Sequence, residues 1–125
     1  MPTGYLAARV RSFGYAFKGI RTLVATQAHA RLHLIATIIV IGGGFLIRLS
    51  RSEWLAVLLC AGMVWMAEAM NTAIEFLADE VSLEQRERIG NAKDVAAAGV
   101  LIVAMVSVVV AAMIVWRHCR LHHWA

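Results

Sequence analysis

The 125 residues are 61% hydrophobic and 16% charged, with a mean hydropathy of +0.71, which excludes an ordinary soluble globule and leaves one small integral membrane domain over residues 1–125. The net charge of +4 comes from cations that flank apolar segments, so it reflects membrane topology and anionic headgroups, and no nucleic-acid partner is expected. Cys60 lies in an apolar run and Cys119 in the tail; they make no disulfide framework and are read as free thiols.

Residues 5–27 place Tyr5, Leu6, Val10, Phe13, Phe17, Ile20 and Val24 at spacings of three to four among Arg9, Arg11, Lys18 and Arg21. That pattern predicts an amphipathic helix lying at the membrane surface. The first thirty residues lack a central apolar run with a small-residue cleavage site, so no secretory signal is expected.

Residues 32–49 are predicted to form a first span, with Gly42, Gly43 and Gly44 allowing a neighbouring helix to approach closely. A short turn over 48–53 leads to a second span, 54–77. Residues 79–94 hold eight charges among sixteen and are predicted to be an aqueous loop. A third span covers 95–116 and residues 117–125 form a tail. The predicted fold class is therefore an all-α membrane protein, a surface helix followed by three spans.

Three spans put the termini on opposite sides. The N-terminal region and the 79–94 loop together hold eight of the twelve Lys and Arg residues, which assigns both to the cytoplasm. A multi-pass membrane protein with a cytoplasmic N-terminus is expected.

The chemistry concentrates in the second span. Glu68, Asn71, Thr72 and Glu75 fall at i, i+3, i+4 and i+7, so two carboxylates, an amide and a hydroxyl share one helix face. A carboxylate within a bilayer costs about 3 kcal/mol or more, and such groups face a protein interior or a water-filled cavity. By helical rise Glu75 lies near a membrane boundary, with Glu68 about 10 Å inside it. That separation suits a proton acceptor and a separate cation ligand better than two acids sharing one proton.

The stretch Glu68-Ala-Met-Asn71-Thr72-Ala73-Ile74-Glu75-Phe-Leu-Ala-Asp79 closely resembles the signature of the small bacterial membrane lipid kinases, the prokaryotic diacylglycerol kinase and undecaprenol kinase family. The resemblance extends through Phe13-Gly-Tyr15-Ala-Phe-Lys18-Gly19, Arg31-Leu-His33 and Asn91-Ala92-Lys93-Asp94, covering residues 9–116. It implies a homotrimer with active sites shared between neighbouring protomers, ATP as a substrate, Mg²⁺ as the cofactor carried with ATP, and a lipid alcohol as phosphate acceptor.

It also implies roles. Glu68 matches the base that takes the lipid hydroxyl's proton, and Glu75 matches a ligand of the ATP-bound magnesium. Asn71, Lys93 and Asp94 match polar residues around the phosphates, with Thr72 beside Asn71 on the same face. Tyr15, Glu84, Gln85 and Arg86 match the nucleotide contacts. Arg31 and His33 mark the interface at the start of the first span, and with Glu68 they are candidate contacts for the lipid substrate. Three positions depart from the family pattern: Gln27 stands where the family commonly carries a second acidic metal ligand, and Gln85 and Arg86 replace an aromatic residue and a histidine.

Plainer readings stand beside these. Glu75 and Asp79 read as solvated residues at a helix end, Glu68 as half of a structural ion pair, and Lys93 and Asp94 as a headgroup anchor and the N-cap of the third span. Trp54, Trp65 and Trp116 read as interface or packing residues, and Met63, Met66 and Met70 as packing residues. His118, Cys119, His122 and His123 have no recognised metal-site spacing. Rival functions are a small oligomeric carrier that uses Glu68 as a proton-coupled cation site, and a non-catalytic membrane subunit.

Overall fold

A computed structural model describes residues 2–123, which form four helices: α1 (Pro2–Thr26), α2 (Ala28–Leu46), α3 (Arg51–Val81) and α4 (Glu87–His123). The last three are each long and apolar enough to cross a membrane. α3 and α4 pair extensively as an antiparallel hairpin, whereas α2 rests more lightly on α3 and α1 touches only α2 and α3.

A single residue separates α1 from α2. Gln27 has an extended backbone (φ −108°, ψ 116°) and no side-chain cap to the helix that follows it. α2 ends where Arg48 enters the left-handed region at φ 57°. The Leu49 N–H then reaches back to the Gly44 carbonyl at 3.1 Å and the Ile47 N–H to that of Gly43 at 3.0 Å, a Schellman-type closure. Residues 47–49, predicted as part of the first span, therefore form the turn; hydropathy cannot register a change in backbone handedness.

Within that turn Gly44 is buried. A Cβ there would meet the Trp54 ring at 2.7 Å, while Gly42 and Gly43 face open space. The close approach expected of the three glycines is thus made at one of them, by a ring from α3 that also packs on Phe45 at 4.9 Å between centroids.

The turn predicted over 48–53 is shorter than expected. Ser50 caps α3: its hydroxyl accepts from the Glu53 N–H at 3.3 Å, and the Glu53 carboxylate accepts from the Ser50 N–H at 2.9 Å. Ser-x-x-Glu before an apolar run is a capping-box signature, and it places Glu53 inside the first turn of the helix.

The 79–94 loop is corrected more strongly. α3 continues to Val81 and α4 begins at Glu87, leaving only residues 82–86 outside helices. Charge marks where the chain leaves lipid; it does not stop intrahelical hydrogen bonding, so the spanning helices project beyond the bilayer. For the same reason Asp94 lies two turns inside α4 and is not its N-cap. The tail from residue 117 is helical through His123; residues 124 and 125 lie outside the described residues.

Candidate active site

Helical phase aims the polar face of α3 inward. Glu68 is 3% exposed and Thr72 4%, and Asn71 and Glu75 are half-buried. Asn71 Oδ1 and Thr72 Oγ1 are sealed from solvent with no hydrogen-bond partner. An unsatisfied buried polar atom costs about 1–3 kcal/mol, so two of them beside a buried carboxylate form a site organised for something other than packing. Thr37, by contrast, spends its O–H on the His33 carbonyl at 2.6 Å, as an ordinary hydroxyl within a membrane helix does.

α2 supplies the neighbour of Glu68: His33 Nε2 lies 3.6 Å from Glu68 Oε2. The basic side chain that faces Glu68 is thus a histidine on α2. Below His33 a cavity of about 330 Å³ opens between α2, α3 and α4, lined by apolar side chains such as Val40, Leu58 and Val108.

A second cluster forms at the α3–α4 turn. Asp79, Glu84, Gln85, Arg86 and Lys93 line one cleft of about 630 Å³. Lys93 is ion-paired with Asp79 across the two helices, and Arg86 lies 3.8 Å from Glu84. Sequence reasoning assigned Asp79 no role in the site; its position one turn beyond Glu75 on a continuing helix is the signal that could have found it. Asp94 is exposed and does not line this cleft.

The remaining candidates stand apart. Tyr15 is 72% exposed on α1, about 18 Å of helical rise from Gln27. Gln27 is half-buried at the α1–α2 junction and donates its side-chain N–H to Thr26 Oγ1 at 3.2 Å. Arg31 is exposed on the first turn of α2.

Three helices able to span a membrane, a buried carboxylate inside one of them and a charged cleft at the end of the same hairpin define a small membrane protein with a polar site within its helices. Comparison with known proteins makes the class particular. Residues 14–115 match the family model described as "Prokaryotic diacylglycerol kinase". The chain is 33% identical over 104 residues to the undecaprenol kinase of Bacillus subtilis, covering 83% of this chain and 85% of that one. It is 27% identical over 109 residues to the diacylglycerol kinase of Escherichia coli K12, covering 87% and 89%. The chain belongs to the prokaryotic diacylglycerol kinase family and is a membrane lipid kinase, catalysing nucleotide-dependent phosphoryl transfer. The carrier and non-catalytic readings give way to it.

Proposed function

We propose that this protein transfers the γ-phosphate of MgATP to the hydroxyl of a membrane lipid alcohol, diacylglycerol or undecaprenol, at the cytoplasmic boundary of a bacterial inner membrane. The observation that carries the reading is the inward face of α3, where a carboxylate 3% exposed stands one turn from two unpartnered polar atoms, Asn71 Oδ1 and Thr72 Oγ1.

Glu68 acts as general base. Its depth meets a hydroxyl at the headgroup of a lipid whose chains remain in the bilayer, so proton acceptor and alcohol share one layer. As the lipid oxygen bonds to the γ-phosphorus, its O–H bond breaks, the proton passes to Glu68, and ADP leaves with the electrons of the broken P–O bond. Asn71 and Thr72 orient polar groups of the bound substrates beside the base.

Mg²⁺ in phosphoryl-transfer sites is held by one or two carboxylates together with phosphate oxygens and water. Glu75, one turn beyond Asn71 and half-buried, fits such a donor set. Gln27 directs its amide nitrogen to Thr26, which leaves the amide oxygen as the donor for a cation. These residues would hold the ion, which when bound would supply positive charge against that developing on the phosphates. Lys93, held by Asp79, brings positive charge to the same end of the hairpin, and Arg86 and Gln85 in the adjoining cleft contact the nucleotide, with Glu84 fixing Arg86. For Tyr15 and Asp94 as nucleotide contacts and Arg31 as a headgroup contact the support is the family resemblance; all three are exposed and none lines the cleft.

The test is incubation of the purified protein in mixed micelles with labelled ATP, Mg²⁺ and either diacylglycerol or undecaprenol, followed by separation of the lipids. Label is expected in one or both lipid phosphates, and the ratio identifies the acceptor. Absence of label from both overturns the reading.

A further inference from the structure

The imidazole beside Glu68 packs against an indole that is itself tied to α2. The Trp65 indole N–H donates to Thr37 Oγ1 at 2.9 Å, and the Thr37 hydroxyl donates to the His33 carbonyl at 2.6 Å. The Trp65 ring then abuts the imidazole edge-on, with centroids 6.5 Å apart and planes at 64°. Trp65 lies three residues before Glu68 on α3, and Thr37 lies four residues after His33 on α2. Two adjacent turns of each helix are therefore cross-tied at the height of the carboxylate, in a helix pair that otherwise makes few contacts.

We propose that His33 is the positioning residue of the base: its Nε2–H faces Glu68 Oε2 and fixes the carboxylate so that Oε1 meets the lipid hydroxyl. The inference rests on the reading of Glu68 as base and extends it to a side chain that sequence placed only at the lipid end of the site. The 3.6 Å separation is longer than a hydrogen bond and close enough that a small torsional change makes one, as acid–base contacts tighten when substrate binds. A carboxylate with free χ angles samples many orientations; one anchored at a single oxygen presents the other in a fixed direction. The bond from Trp65 to Thr37 fixes the indole whose ring abuts the imidazole, so one side of the imidazole is bounded by a side chain tied to both helices.

Three variants in the micelle assay test it. His33→Leu fills the volume without an N–H and is expected to lower kcat about 10²-fold, the scale of a misplaced catalytic group, with KM for ATP unchanged. His33→Gln retains an N–H donor at similar reach and is expected to recover kcat to within about tenfold of the parent. In protein carrying ¹⁵N-labelled histidine, Glu68→Gln is expected to shift the ring resonances of His33 at fixed pH and leave those of His29 in place. Unchanged kcat in His33→Leu overturns the proposal, as does equal loss in the Leu and Gln variants or a His33 resonance blind to Glu68. Failure of the unsubstituted protein to phosphorylate any lipid overturns the kinase reading instead, and the resonance experiment separates the two.

Discussion

At the residue scale the site combines one group legible in sequence with one that is not. Glu68, Asn71, Thr72 and Glu75 are found together because a single period, 3.6, governs their spacing, and the inward burial of Glu68 and Thr72 follows from the cost of a carboxylate in lipid. The approach of His33 to Glu68 depends on how α2 is set against α3, which no spacing within either helix encodes. Glu68→Gln is expected to lower kcat at least 10²-fold, the lower end of a general base's contribution, while the thermal midpoint in micelles stays near the parent value, because an amide of the same shape keeps the packing. A second residue makes a different prediction. Glu53, at the charged start of α3 before the apolar run that begins at Trp54, accepts from the Ser50 N–H and pairs with His118 at 3.1 Å and Arg117 at 2.7 Å on α4. The Ser50 N–H first, then the His118 hydrogen bond and the nearby positive charges, hold its pKa down at about 2 against burial that pushes it up. A carboxyl depressed in the folded state from an ordinary 4.5 contributes stability that is complete above pH 4.5 and lost as pH falls towards 2. Thermal midpoints recorded from pH 6 to 2 are expected to drop through that window in the parent and to lose this component in Glu53→Gln.

At the scale of the element, hydropathy located the three spans and misplaced their ends. The ends are set by backbone events: a left-handed Arg48, a capping box at Ser50, and helices that outrun the bilayer on both sides of residues 82–86. The projection of α3 and α4 into water has a functional consequence. It carries Asp79 and Lys93 as a rigid pair, so the cationic group at the end of the hairpin stands on helix and not on a loose loop. The α2–α3 turn can be tested at Gly44. Gly44→Ala would bring a methyl to 2.7 Å from the Trp54 ring and 2.9 Å from Leu49, and a rigid indole packed on Phe45 cannot withdraw cheaply. Overpacking of this kind costs about 1–3 kcal/mol, so the variant is expected to melt earlier, whereas Gly42→Ala, with open space around its Cβ, leaves the protomer itself intact. Equal midpoints for the two variants would remove the Trp54 contact from the account.

At the scale of the whole molecule, the single chain leaves much of its surface uncovered. Its accessible surface is 10072 Å², against about 6,600 Å² for a compact soluble protein of this mass. Met63, Met66 and Met70 fall on one face of α3 at i, i+3 and i+7, each at least half exposed. The packing read for them in sequence is therefore made, if at all, outside this chain; they are available to lipid or to a second copy. Among the described residues only Leu23, Ala30 and Val57 form a buried apolar set, too little to order a helix pair as lightly joined as α2 and α3. We read the missing cover as further copies in a closed ring, the trimer implied by the family resemblance, with each site completed across a protomer boundary. Subunit mixing decides it. Protein carrying Glu68→Gln and protein carrying Lys93→Met are each expected to be inactive. Unfolded together at equal amounts and reassembled in micelles, they regain activity only where an intact Glu68 on one copy meets an intact Lys93 on the next, which random assembly of a cyclic trimer provides at about a quarter of the sites. Sites built within one protomer would stay silent at every mixing ratio, so recovery to roughly 25% of the parent rate, against none, distinguishes the shared site from the self-contained one.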